Sequence, residues 1–266
     1  MKKVFLNLSF ILIIFTSTSL NAQIFDELPG VSDKSDIFMY VNVEKIISFF
    51  KNKGINIKEL DDLFTGNTAK ENDEKLPDFG IKLSDINEIL FAGCIEDLEK
   101  KRGFLFFIKI NSYNVKIPEH TKTKPVKING ITFYEVQGEK ETSILFALSG
   151  NIFIAGPKEY IEAYYNKKNS KNRNLSEAIK QFRINAADKA LYINLSVSDY
   201  LKNEMEKAYT QGILVAKGLG ENVFLKTLLN LKFFDYGIQI TDRIHLFAGM
   251  QGASEVDSER LLMLSH

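Results

Sequence analysis

A strand-and-helix pattern that occurs twice constrains this chain more than any other feature. Asp36-Ile37-Phe38-Met39-Tyr40-Val41-Asn42-Val43 is rich in β-branched and aromatic residues and predicts a strand. A helix is predicted over 44–53, with Ile46, Ile47, Phe49 and Phe50 grouped on it and Gly54 placed to end it. The pattern returns as Asp188-Lys189-Ala190-Leu191-Tyr192-Ile193-Asn194-Leu195, with a helical run through Asp199, Leu201, Met205 and Ala208. Asp, Tyr and Asn recur 152 positions apart. A second recurrence, Leu90-Phe91-Ala92-Gly93 against Leu246-Phe247-Ala248-Gly249, lies at an offset of 156. Two matches in the same order at nearly one offset indicate an internal duplication.

The two units are unequal. In the first, 90–95 and 104–110 predict paired strands around a charged turn, and Asn129-Gly130 separates Val126–Ile128 from Ile131–Tyr134. Asn-Gly accepts the positive φ angles of a type I′ hairpin turn. A further hairpin spans 143–155 around Ser149-Gly150, and Pro157 is placed to open a helix through Tyr160, Ile161, Tyr164 and Tyr165. The stretch 166–174 has no apolar residue and predicts a linker. In the second unit, 213–231 contains Gly218 and Gly220 and predicts two helices. A strand pair over 233–240 and 244–250 follows, then a short helix from about Ser254. Hairpins and helices in irregular succession, without βαβ units, predict an α+β fold: two unequal repeats of strand, helix and antiparallel hairpins, with the helices on one face of the sheet.

The chain opens with Lys2 and Lys3, an apolar run from Val4 to Leu20, and a small residue, Ala22. This is the layout of a secretory signal, so 1–22 is expected to be a signal peptide and the protein exported, to the periplasm or cell surface. The mature organisation is expected as a first unit over 23–168, a linker over 169–174, and a shorter second unit over 175–266. Residues 67–78 are polar and predict a surface loop. Removing 1–22 takes two lysines and no acid, leaving 32 basic against 34 acidic side chains. That balance gives no electrostatic reason to expect nucleic acid, and no later apolar run is long enough for a stable membrane span. The basic stretch 166–174 lacks the aromatic residues that stack bases.

Three segments resemble a recurrent pattern in exported bacterial proteins of unknown function: Ser-Asp-Ile-Phe-Met-Tyr-Val-Asn-Val at 35–43, Asn-Gly-Ile-Thr-Phe-Tyr at 129–134, and Gly-Asn-Ile-Phe-Ile-Ala-Gly-Pro-Lys-Glu-Tyr-Ile-Glu-Ala at 150–163. The resemblance implies an exported α+β protein and carries over no catalytic residue.

No constellation of residues in the sequence points to catalysis. The single cysteine, Cys94, sits in an apolar string and reads as a core residue, and one cysteine allows no intramolecular disulfide. His120, His245 and His266 share no metal-ligand spacing. Ser48 and Lys51 match a bare Ser-x-x-Lys spacing, which reads as a helix packed on a core. The acidic groups at Asp61-Asp62, Glu71 to Glu74 and Glu96-Asp97-Glu99 lie in hydrophilic stretches, whereas glycosidase acids need burial. Gly218-Leu219-Gly220 is too short to be a phosphate loop. No catalytic, cofactor-binding or metal residue is assigned, and no cofactor is expected. The expected function is a non-enzymatic envelope scaffold that binds another protein. The alternative is a periplasmic carrier of an apolar small molecule or lipid, lined by 213–229.

Overall fold

The structure is a computed structural model describing residues 24–58, 81–98, 103–111, 123–137, 143–169, 175–210 and 229–252. The expectations for 1–22, 67–78, 213–228 and the C-terminal helix lie outside those residues.

Ten strands form one antiparallel sheet. They are β1 (Ile37–Asn42), β2 (Ile86–Gly93), β3 (Phe104–Ile110), β4 (Thr123–Ile128), β5 (Ile131–Gln137), β6 (Ser143–Ser149), β7 (Ile152–Pro157), β8 (Leu191–Ser196), β9 (Leu231–Ile240) and β10 (Ile244–Gly252). Their order across the sheet is β10-β9-β8-β1-β2-β3-β7-β6-β5-β4. Helices α1 (Val43–Asn52), α2 (Ile95–Leu98), α3 (Lys158–Lys168), α4 (Glu177–Ala186) and α5 (Asp199–Thr210) connect them, and a 3-10 turn spans Ile24–Gly30. The α+β class is as the sequence predicts.

Local signals account for most boundaries. Asn42 ends β1 and caps α1 by accepting from the Lys45 N–H at 2.9 Å. Gly54, at φ +79°, closes that helix. Asn129 and Gly130 take φ of 48° and 82°, the positive values of the predicted hairpin turn. Pro157 is the last residue of β7 and caps α3, one place earlier than predicted. That helix also runs past Asn166 to Lys168, into the expected linker. Lys167 reaches Asp33 at 2.7 Å and the Val31 carbonyl at 2.8 Å, and Lys168 pairs with buried Glu27, so the last turn is pinned from outside.

The first recurrence falls on two neighbouring strands. Strands β1 and β8 pair antiparallel at the junction of the units, with Tyr40 directly opposite Tyr192. β1-α1-β2-β3 extends to one side and β8-α5-β9-β10 to the other. The second recurrence falls differently. Leu90–Gly93 lies in β2, the strand paired with β1, whereas Leu246–Gly249 lies in β10, one strand beyond β9.

Successive strand residues face opposite sides. Phe38, Tyr40, Leu90, Phe107, Leu145, Ile154 and Tyr192 point into the main core, under α3, α4 and the 3-10 turn. Phe182 of α4 joins it at ring distances of 5.2 Å to Phe38 and 5.6 Å to Tyr192. The alternate residues, including Val41, Ile89 and Ile108, meet Val43 and Ile47 of α1 in a smaller cluster. The sequence reading grouped the helices on one face. α3 and α4 do gather there, while α1 lies against the other, because it follows β1 with no connecting residue and caps directly on Asn42.

Candidate functional site

The two recurrences each place a buried tyrosine on the core face, bonded there to an asparagine and to a half-buried acid. Tyr40 donates to Glu88 Oε1 at 2.8 Å and accepts from Asn42 Nδ2 at 3.2 Å. Tyr192 donates to Asp235 Oδ2 at 2.9 Å and bonds Asn194 and, at 3.0 Å, Asn185. Register makes the sets equivalent: Asn42 stands opposite Glu88, and Asn194 opposite Asp235. Burial, reinforced by the Glu88 charge, pushes the Tyr40 hydroxyl up. Burial with the Asp235 charge pushes Tyr192 up to about 12. Both tyrosines are therefore hydrogen-bond donors at neutral pH and not bases.

The two asparagines differ at one atom. Asn42 Oδ1 caps α1, but β8 runs two residues past Asn194 before α5 begins, and Ser198 serves the Leu201 N–H there instead. Asn194 Oδ1 is buried without a hydrogen-bond partner. Glu88 Oε2 makes no hydrogen bond either, although Lys109 Nζ lies 3.5 Å away as an ion pair.

A second polar group gathers where β1, α2 and α3 meet. Buried Asp36 accepts from the Ile95 N–H at 2.8 Å, and Tyr160 donates to Asp97 at 2.5 Å. Burial raises the Asp36 carboxyl and the Cys94 thiol. The Asp36 and Asp97 charges push the thiol in the same direction. A protonated thiol is a poor nucleophile. Asp97 thus departs from the solvated reading of its acidic run; Tyr160, 63 positions away, gives it a partner that no local pattern could announce.

His245 is exposed, 3.4 Å from the Thr241 hydroxyl. Ser48 and Lys51 are exposed on α1, not packed on the core. His120, His266, Asp61, Asp62, Glu71, Glu74, Glu99, Gly218 and Gly220 lie outside the described residues. Among the described residues no three His, Cys, Asp or Glu side chains converge as a metal site. No described helix is long and apolar enough to cross a membrane.

The remaining feature is a surface. On the α1 side of the sheet, Phe234, Tyr236, Ile238 and Ile240 of β9 stand opposite Met250, Ala248, Leu246 and Ile244 of β10. Exposure reaches 64% for Leu246, 50% for Ile244, 44% for Met250 and 36% for Phe234. Between α1 and the β9–β10 turn runs an open groove of about 560 Å³, lined by Lys45, Ser48, Phe49, Lys53, Ile240 and Asp242 among others. The sequence pattern shows a strand pair over 233–240 and 244–250 but not which of its faces is covered, so the stripe could not be read from it.

These features define an α+β protein built on a single ten-stranded antiparallel sheet. No protein-family model matches the chain, and no curated protein matches it. Among solved structures, three crystal forms of the bacterial protein TP0453 are similar. Form III gives a TM-score of 0.47 at 11% identity, over 90% of this chain and 84% of that one. Form IV gives 0.45 at 12%, over 84% and 79%, and form I gives 0.44 at 11%, over 92% and 85%. At that level nothing of TP0453 bears on this chain.

Proposed function

We propose that this is a non-catalytic exported protein of the cell envelope that acts as an interaction scaffold, docking a partner on the β9–β10 hairpin. Export rests on the Lys2-Lys3 and apolar opening of the sequence. The observation that carries docking is the exposed stripe of Ile244, Leu246, Met250 and Phe234, a run of large apolar side chains on one sheet face. The buried polar groups support the same reading: protonated tyrosines, a protonated thiol and paired acids hold a rigid core together and offer no activated nucleophile. A photo-crosslinking residue at position 246 should yield one stoichiometric adduct in intact envelopes. The same residue at Ile184, 69% exposed on α4, should yield none. Equal labelling from both positions, or from neither, removes the scaffold reading.

The groove beside α1 supports a second reading, a carrier of a small molecule. Its walls include Glu44, Lys45, Lys53 and Asp242, which suits an amphipathic ligand better than a wholly apolar one. Native mass spectrometry of gently purified protein would reveal a bound ligand as a mass excess; a bare mass retires the carrier.

A further inference from the structure

We infer that the partner fitting β10 is a second copy of this chain, joined edge to edge through antiparallel β10 strands about a two-fold axis. The inference deepens the scaffold reading, since both use the same hairpin, and it rests on that surface being free to dock.

The two ends of the sheet are built differently. β4 carries Lys124, Pro125 and Lys127, all exposed. Lysine and proline are what a protein places on an edge strand to prevent further pairing. β10, Ile-His-Leu-Phe-Ala-Gly-Met-Gln-Gly, holds no Lys, Arg, Asp, Glu or Pro over nine residues. Among the described residues it is the end strand, with β9 as its neighbour.

Charge selects the occupant. A strand added to this edge, which holds no Lys, Arg, Asp or Glu, would have any such side chain desolvated against apolar neighbours, so a strand without them fits best. β10 is itself such a strand, and β4 is not. Without 1–22 the chain carries 32 basic and 34 acidic side chains, so little net repulsion opposes two copies.

Geometry agrees. A two-fold perpendicular to the sheet keeps each face on its own side, so the exposed stripe of one copy continues into that of the other. With the axis at Ala248, Leu246 stands opposite the second copy's Met250 on the exposed face. Phe247 then stands opposite the second copy's Gly249 on the other. Cross-strand pairs of this kind are the unit of sheet stabilisation. Size sets the strength. The strand without Gly252, Ile244 to Gln251, is eight residues a side and well under the roughly 20–30 a side of a standard interface, which places the dimer in the weak, reversible class.

Sedimentation velocity on the full chain as purified, from about 1 to 500 µM, tests this; the range covers dissociation constants expected of weak association. The mean mass should climb from one copy toward two and stop there. Leu246→Lys should weaken association at least tenfold, and Met250→Lys should do the same. Ile184→Lys should leave it unchanged. Both hairpin sites are exposed, and an unaltered circular dichroism spectrum verifies that each variant is folded. A monomer at every concentration overturns the inference, as does growth beyond two copies or a Leu246→Lys protein that pairs like wild type. A monomer that still gives a site-specific adduct to another protein at position 246 overturns self-pairing alone and leaves the scaffold reading standing.

Discussion

Asn42 and Asn194 are equivalent by register, yet their substitution should cost different amounts, and the difference can be worked from four hydrogen-bonding atoms. Asn42 uses both ends of its amide: Oδ1 caps α1 and Nδ2 bonds Tyr40. Replacement by leucine, which has the same branched heavy-atom skeleton, removes a cap worth about 1 kcal/mol and a neutral hydrogen bond worth about 1 kcal/mol. The expected loss is about 2 kcal/mol. Asn194 loses one bond, to a Tyr192 hydroxyl that keeps Asn185 and Asp235. The same change deletes a buried carbonyl oxygen that has no partner, a group whose burial costs about 1–3 kcal/mol. The two terms offset, so Asn194→Leu should lie within about 1 kcal/mol of wild type. Urea unfolding followed by circular dichroism measures both, with the slope checked to be unchanged. If Asn194→Leu is as costly as Asn42→Leu, the account of the orphaned oxygen is wrong.

Two further outcomes follow from glycine placement and from one buried acid. An alanine Cβ at Gly30 would sit 2.3 Å from the buried Tyr164 ring, whereas at Gly130 it meets nothing but carries a φ of 82°. Thermal melts should therefore show Gly130→Ala down by about 1 kcal/mol of backbone strain, and Gly30→Ala down by clearly more, since Tyr164 has no room to yield. Burial raises Asp36 above its usual 3.8, so the folded state holds the proton more tightly than the unfolded chain. Its contribution is then greatest at acid pH and declines as pH rises from 3.8 through the raised value. Asp36→Asn should remove that decline, making stability flatter in this window. A steeper fall in the variant, read by urea midpoints across pH 3 to 7, would contradict the assigned direction.

The parts of the fold that sequence made legible are those decided locally. The Asn129-Gly130 turn, the Gly54 stop and the strand at 37–42 each follow from the residue in place. The tyrosine and asparagine of the repeat were legible too, because both the residue types and their spacing are kept. Their acid partners were not. Glu88 and Asp235 differ in type and lie 147 apart, since the segments joining strand to strand differ in length. The Leu-Phe-Ala-Gly match shows the opposite risk. Its apolar and small residues suit any strand packed on a core, so it recurs on strands that are not equivalent.

The candidate surface was the hardest feature to see, and the reason is relational. β10 carries Ile244, Leu246, Ala248 and Met250 on one face and His245, Phe247, Gly249 and Gln251 on the other. An apolar face beside a mixed one reads as a strand with the apolar face on the core and the mixed one toward solvent, the reverse of what the structure has. Only the strand order shows that, among the described residues, this one ends the sheet, and only the exposure of Ile244, Leu246 and Met250 shows that its apolar face is open. At the other end, Lys124-Pro125-Lys127 could be read directly as an edge, because proline there cannot donate to a neighbouring strand. One edge of the same sheet is thus closed by its own side chains and the other is not. Protection at β4 shows that this fold can blunt an edge with three residues, so the bare β10 is better explained by something that pairs with it than by an inability to protect it.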